Sequence, residues 1–368
     1  MSLLEEVPDP RRAEGKLYTL PHVLLFSILA IVTGCNSYRG IVTFIDVHRR
    51  SLNAFFGLTW RRAPAHTAIR YILQGLDPKD VEDAFRRHAG QLQVARAKGP
   101  HTSIALDGKT LRGSFDQFND RAAAQVLSAL ATDTALVLAH VDIADKSNEI
   151  PAVQTLLADL GVARHLVTLD ALHCQKTFEA AADAGIGLIV QVKENQPTLH
   201  RQVHQLCTST PPLDRASSTG TGRNRQELRH VAVFDPGDAI ADPDWRACIA
   251  AIIQVERHVL TRNAKTGLWD RATHSACYLS SAPISAARAA DAIRAHWTIE
   301  NTSHYSRDVT MGEDASRTRF NPSVFARLRS FAYNILKANQ TGTLPQDRYR
   351  AALGGIKPLL KTISRPQR

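Results

Sequence analysis

The chain has 368 residues, 44% of them apolar and 22% charged, which is ordinary for a globular protein and allows two or three domains. Its formal net charge of +10 favours nucleic acid or an anionic membrane as partner. An odd number of cysteines without a CxxC pair argues against a disulfide framework and for a reducing cytosol; they stand at positions 35, 174, 207, 248 and 277. Because three acids lie among the first nine residues, no signal peptide is expected.

Residues 1–95 predict an α-helical N-terminal domain. The apolar run Val23–Val32 is too short to span a bilayer and long enough for a buried helix. An amphipathic helix over Tyr38–Arg50 follows, then one over Ala65–Leu73 and another that begins near Asp77. The last two suit either a helix-turn-helix DNA reader or an ordinary helical bundle, and the bundle is the favoured interpretation.

Residues 96–200 change to a pattern of short apolar strands. The predicted order is three strands, then helix, strand, helix and strand, which implies a mixed sheet with helices on its faces. The first strand, Ser103–Leu106, ends at Asp107, and the fourth, Arg164–Leu169, ends at Asp170. The class is therefore α/β, with a mixed-sheet core.

The rest of the chain divides into three predicted segments. Residues 201–282 form a separate β-rich insertion with strands near 228–234, 249–260 and 271–280. Residues 283–340 return to helix, first over Ile284–Tyr305 and then over Ser323–Ala338. A basic tail, 341–368, completes the chain.

The positive charge is concentrated near the C-terminal end. From Arg317 to Arg368 there are eleven Lys or Arg and one acid, so this segment carries the whole net charge. Such a bias predicts a polyanion-binding arm, although a solvated helix face with a frayed end has the same composition. If it is an arm, removing residues 317–368 weakens DNA binding and flattens its salt dependence.

Asp107, Asp170 and Glu300 are the candidate catalytic residues and metal ligands. If the two strands are neighbours, Asp107 and Asp170 face each other at the carboxyl edge of the sheet. Carboxylate oxygens suit Mg²⁺, and two such ions about 4 Å apart activate the attacking oxygen and neutralise the leaving oxygen of a phosphodiester. Separately, the three acids could be a turn residue, a helix cap and a surface residue. Together they predict a site that cuts and joins DNA.

Glu300 is predicted to share one helix face with apolar and cationic neighbours. Ile293 and Trp297 would anchor the helix on the sheet, and the others would turn toward the acids. The residues on this face are Ile293, His296, Trp297, Glu300, His304 and Arg307. Cations near the other acids suit phosphates. The predicted DNA-binding residues are Lys109, Arg112, Lys193, His296, Asn301, His304, Arg307, Arg317 and Arg319.

Several blocks resemble those of bacterial insertion-sequence transposases of the H-repeat-associated branch of the DDE superfamily. They are SIALDGKTLRGS, TLDALHCQKTFEAAADAGIGLIVQVKENQPTL and IRAHWTIENTSHYSRDVTMGEDASRTR, and the opening DPRRAEGKLYTLPHVLLFSILAIVTGCNSYRGIVTFI is similar to the domain associated with that branch. The resemblance covers residues 7–340 or so, with the blocks in matching order and spacing.

The resemblance implies an RNase H-like core with a β-rich insertion before the final acid. It also implies an Asp-Asp-Glu triad at Asp107, Asp170 and Glu300 that holds two Mg²⁺ or Mn²⁺ ions. The implied substrate is double-stranded DNA, both transposon ends and target. A homodimer on DNA, a bacterial cytoplasmic location at the nucleoid and no membrane partner follow by the same resemblance.

Related transposases carry Tyr, Arg, Glu and Lys at fixed spacing on the last helix. Here those positions hold Ile293, His296, Glu300 and Arg307, so the cations are kept and the Tyr ring is missing. Two alternatives to an active transposase remain open. One is an inactive or domesticated relative that only binds DNA, and the other is a metal-dependent nuclease of RNA–DNA hybrids.

Overall fold

The structure is a computed structural model that describes residues 1–97, 103–143, 149–160, 165–170, 175–222 and 224–364. Cys174, Arg365 and Arg368 lie outside these residues. The helices are α1 Ser2–Glu5, α2 Leu20–Val32, α3 Tyr38–Phe56, α4 His66–Gln74, α5 Pro78–Arg96, α6 Glu149–Asp159, α7 Gln175–Asp183, α8 Pro197–Ser209, α9 Pro243–Cys248, α10 Ala286–His296, α11 Pro322–Ala338, α12 Leu344–Leu353 and α13 Ile356–Ser364. The strands are β1 Ser103–Thr110, β2 Gln125–Ala131, β3 Leu136–Ile143, β4 Leu166–Leu169, β5 Gly187–Val192, β6 Asp214–Gly222, β7 Arg225–Phe234, β8 Ala251–Arg262 and β9 Trp269–Ser280.

The chain folds into two compact units that each draw on separated segments. The first unit contains residues 1–100, 108–149 and 299–368, and the second contains residues 101–107 and 150–298. The N-terminal helices, the β2–β3 hairpin and the C-terminal helices therefore belong to the first unit. The fold is mixed α/β, as the sequence predicts.

The first unit is built around the apolar helix α2. Every residue from Val23 to Val32 is buried, as expected of a core helix. By length and composition alone, residues 13–32 could cross a membrane, but 61% of their apolar 18-residue window is buried inside the fold. Helix α11 packs against α2, and α5 packs against β3 and α11. The Asp77 carboxylate caps α5 by accepting a hydrogen bond from the Lys79 backbone N–H, which confirms the predicted start of that helix.

A buried ionic network ties three parts of the first unit together. The Glu82 carboxylate on α5 accepts hydrogen bonds from the backbone N–H of His140 on β3 at 2.6 Å and from Arg327 Nε on α11 at 2.9 Å. Arg327 also bonds Asp142 at 3.1 Å. The His140 ring bonds both Glu82 and the Ser330 hydroxyl. Satisfied buried charges of this kind fix which elements pack together.

The predicted C-terminal arm is folded, and several of its cations are interior. Arg327, Arg329 and Arg348 are buried. Burial lowers the pKa of Arg329 to about 10. The Arg348 guanidinium donates to the Ile31 carbonyl at the end of α2 and to Asn36. The expectation that removing 317–368 simply removes an arm is therefore wrong, because the cut also removes core helix α11.

The second unit contains a mixed sheet in the order β1-β4-β5-β9-β8-β7-β6. The first three strands are parallel, and β9 pairs antiparallel with β5. The predicted strands of residues 201–282 thus continue the same sheet and do not form a separate one. Strand β6 and helices α8 and α9 are not among the elements predicted for this part of the chain. Helix α10 packs on the sheet through Ala289 and Ile293, which share a buried cluster with Ile189 and Ile253.

Candidate active site

Asp107 and Asp170 occupy equivalent positions on neighbouring parallel strands. The register of β1 and β4 pairs Leu106 with Leu169, so the two aspartates are the next residues on each strand. Neighbouring strands are about 4.8 Å apart, which places the two Cα atoms side by side at the carboxyl end of the paired stretch. The two strands are thus neighbours, which is the condition on which the predicted facing of the two aspartates depends. Strand β1 itself continues to Thr110, beyond the predicted end at Leu106.

Lys193, which follows β5, holds the Asp170 carboxylate. Its ammonium lies 2.6 Å from Oδ1 and 2.8 Å from Oδ2 of Asp170. Burial raises the pKa of nearby Tyr278 to about 12, and the charge of Asp170 adds to the shift. Asp170 and Lys193 line an open cleft of about 840 Å³, together with Glu194, Asn195, His200 and Cys277 among others. A cation at Asp170 therefore has solvent access.

His296, the last residue of α10, lies beside the two aspartates. Its Nδ1 is 2.9 Å from the hydroxyl of Thr168, a buried residue of β4. Burial lowers the pKa of His296, while the charges of Asp107 and Asp170 act in the opposite direction. The neutral ring is favoured at neutral pH. His296 is thus a hydrogen-bonding residue here more than the cation that the sequence pattern predicts.

The predicted helix Ile284–Tyr305 ends earlier than expected. α-Helix stops at His296, and two π-helical segments follow, Ile299–His304 and Ser306–Thr310. A π-helix closes i→i+5 hydrogen bonds, so side chains spaced for one α-helical face no longer share it. The predicted common face is therefore wrong beyond His296. Trp297, expected to anchor on the sheet, is 46% exposed.

Glu300 lies on the first π-helical segment and is exposed. It belongs to the first unit, whereas Asp107 and Asp170 belong to the second. π-Helical turns are frequent at functional sites. The convergence of all three acids stays a prediction.

Two predicted DNA-binding cations are instead buried in an ionic cluster of the first unit. Lys109, 8% exposed, pairs with Asp308 and Glu313. Arg307, 1% exposed, pairs with Glu313 at 3.1 Å and donates to the Ser330 hydroxyl at 3.2 Å. These side chains pair with acids inside the unit, and their role in DNA binding stays a prediction. Sequence reasoning missed Asp308 and Glu313, although both lie in the block RDVTMGED.

The Glu313 carboxylate predicts an acid-labile first unit. Burial by itself would raise its pKa, but the charges of Arg307, Lys109 and Arg329 outweigh burial and hold the pKa at about 2. The unfolded chain, with a usual value of 4.5, then binds more protons as the pH falls. Stability from this group is complete above pH 4.5 and is lost toward pH 2.

We expect the protection of α11 amides against hydrogen exchange, corrected for the intrinsic exchange rate at each pH, to fall as the pH drops through that window. A Glu313→Gln variant, which lacks the titrating group, should show a weaker pH dependence there. An equal pH dependence in both proteins would contradict this assignment.

The other predicted DNA-binding residues divide by exposure. Arg112 has 80% of its side chain exposed, and Asn301, Arg317 and Arg319 are also exposed. His304 is buried. Lys193 is exposed, and its ammonium donates to the Asp170 carboxylate. The exposed members are available to a nucleic-acid backbone.

The two neighbouring aspartates are the candidate ligands for a divalent ion. In the described ranges, no cluster of three or more His, Cys, Asp or Glu stands in metal-holding geometry. The paired aspartates nevertheless fit one, because carboxylate oxygens are the ligands that hard cations prefer and Asp170 already binds a cationic group.

Two family models match the chain. One is described as "Transposase DDE domain" and covers residues 98–335, and the other, "DDE_Tnp_1-associated", covers residues 1–89. "Putative protein YbfL" of Escherichia coli K12 is 29% identical over 346 residues, which are 91% of this chain and 89% of that protein. "H repeat-associated putative transposase YhhI" of the same strain is 28% identical over 346 residues, with the same coverage.

A solved structure is also similar over the whole chain. It is the cryo-EM structure of a piggyBac transposase synaptic complex with hairpin DNA, with a TM-score of 0.41, 10% identity and 80% of that chain covered. This likeness is too low to argue from. The family models and the relatives carry the assignment, together with the mixed α/β fold. The chain belongs to the DDE transposases, in the H-repeat-associated branch.

Proposed function

We propose that this transposase binds the terminal inverted repeats of its element, cleaves DNA there and joins the freed 3′ end to target DNA. The observation that carries the proposal is the register of β1 and β4, which sets Asp107 and Asp170 side by side. Glu300 is the proposed third acid. The family match supports transposition, and the paired carboxylates supply the chemistry for cutting a phosphodiester.

Asp107, Asp170 and Glu300 would hold two divalent ions, Mg²⁺ or Mn²⁺. When bound, such ions activate the attacking oxygen and neutralise the leaving oxygen. Lys193 orients the Asp170 carboxylate through two hydrogen bonds. His296, held by Thr168, positions a neutral ring beside both aspartates. These residues orient the site before DNA arrives.

The proposed partner is double-stranded DNA, bound as a homodimer at the bacterial nucleoid and without a membrane. Supporting this, the net charge is +10 and several cations remain exposed after the interior ones are discounted. The proposed backbone contacts are Arg112, Lys193, Asn301, Arg317 and Arg319. Phosphate contacts of this kind make binding fall steeply with salt.

A plasmid cleavage assay tests the proposal. The full chain is incubated with Mg²⁺ and a plasmid that carries the DNA on both sides of its gene, including any inverted repeats. Nicks at the repeat ends and joined products are expected, with none in EDTA or with one repeat scrambled. Repeat binding without any nick would instead favour the inactive, DNA-binding relative. Preferred cleavage of RNA–DNA hybrid over these ends would favour the nuclease.

A further inference from the structure

The loop between β1 and β2 has a fixed shape. Its ends are joined by the Leu111 N–H to the Ala124 carbonyl at 2.8 Å, and the Ala124 N–H donates to Ser114 Oγ at 2.8 Å. Asp116 and Arg121 exchange two backbone hydrogen bonds, of 3.1 and 3.0 Å. A side chain on this loop is therefore presented in a defined position, which limits the entropy lost on binding.

This loop is also held against the segment 314–319 of the same unit. Gly113 lies so close to that segment that a Cβ would overlap the carbonyl oxygens of Asp314 and Ser316. Arg319 lies 3.8 Å from the buried Asp116 carboxylate. The two segments form one surface, which we name the Phe118 loop surface; it comprises residues 111–124 and 314–320.

The tip of the loop exposes aromatic rings. Phe118 is 93% exposed and Phe115 is 51% exposed. Phe320, on the neighbouring segment, is 45% exposed, with the Arg121 guanidinium 5.3 Å from its ring centre. Single exposed apolar residues are common on protein surfaces, but three phenylalanine rings on one small surface are not.

Cations surround these rings. Arg112, Arg121, Arg317 and Arg319 are all exposed. Of the acids on this surface, Asp116 is buried and bonded by Asn119 at 2.6 Å, Asp314 lies 3.7 Å from Arg112, and Asp120 is exposed, so the cations are in excess. Exposed rings beside arginines are the combination that binds unstacked bases, because rings stack on bases and guanidinium groups neutralise phosphates. A protein partner for three rings would not need four arginines. The charge thus favours nucleic acid as occupant.

We propose that the Phe118 loop surface binds unpaired bases of DNA, with Phe118 stacked on a base and the arginines on the flanking phosphates. This rests on the proposed function, since it names what one surface does at a DNA end or opened strand. None of these rings belongs to the carboxylate site. The surface adds preference for unpaired over paired DNA.

The test uses the full chain and two labelled probes, a blunt duplex and the same duplex with a short unpaired thymine overhang. The intact chain should bind the overhang probe more tightly. Phe118→Ala should weaken that binding at least about fivefold and leave the blunt probe within about twofold. Phe118→Trp should restore it. Tyr349→Ala, which removes another exposed ring of the same unit, should change neither probe.

Each failure has a distinct meaning. If the intact chain binds neither probe, the proposed function fails and this inference with it. If both probes bind and Phe118→Ala changes neither affinity, only the loop assignment is overturned. A smaller sedimenting mass for Phe118→Ala, with unchanged overhang binding, would make the surface a contact between copies and would also overturn it.

Discussion

Asp170→Asn is expected to bind repeat DNA as tightly as the intact chain and to cleave it on the order of 10³-fold more slowly. The amide keeps the size of the side chain but removes the charge that a divalent ion needs. Loss of ion stabilisation is worth several kcal/mol, and each 1.36 kcal/mol is tenfold in rate. Asp107→Asn, at the matching position of β1, should behave alike. Single-turnover nicking of the repeat plasmid in Mg²⁺ measures both.

Glu194→Gln is the matched control for Asp170→Asn. Glu194 is an exposed acid that lines the same cleft, so its substitution removes the same charge from the same surroundings. Its cleavage rate should stay within about threefold of the intact chain, because its side chain is outside the proposed donor set. Equal slowing by both variants would show a general charge effect, and an Asp170→Asn variant that cleaves at the normal rate would remove the carboxylate chemistry altogether.

Glu82→Gln is expected to destabilise the first unit by about 3–5 kcal/mol. The Glu82 carboxylate accepts from Arg327, Arg86 and the backbone of His140. An amide in place of the carboxylate removes the negative charge, and its NH₂ group would face other N–H donors. The buried Arg327 guanidinium is then left without its closest partner. Amide hydrogen exchange of α5, β3 and α11, measured by mass spectrometry, should rise together, since the three elements share this network.

Asp83→Asn is the control for Glu82→Gln. It shows whether losing any acid from α5 destabilises the first unit, or only losing the buried one. Asp83 is the next residue on the same helix and is exposed, so its loss should change stability by no more than about 0.5 kcal/mol. Similar exchange in both variants would mean that the buried network contributes little. Both substitutions lie on α5 and replace a carboxylate with an amide.

The strands that carry the aspartates could be predicted because their sequences are simple. The runs before Asp107 and Asp170 are short and apolar, and both strands are buried. By contrast, β6 has the sequence DRASSTGTG and is not among the predicted strands. Its neighbour is β7 alone, at the edge of the sheet, so backbone pairing defines it and no apolar pattern is needed.

The end of α10 could not be predicted from residue spacing. The helical pattern of the sequence continues past His296, but the chain there changes to π-helix. A π turn differs from an α turn by one residue, and no residue type marks it. The expected alignment of Glu300 with Ile293 and His296 depended on that unbroken period.

By itself, the sequence determined the family, the two aspartates at the ends of paired strands and the sum of the charges. Only the tertiary structure decided which charges face water. Arg307, Arg327 and Lys109 count toward the positive total, yet each is buried against acids. Arg327 and Glu82 are 245 positions apart, and a buried charge is tolerated only where folding brings such a partner to it.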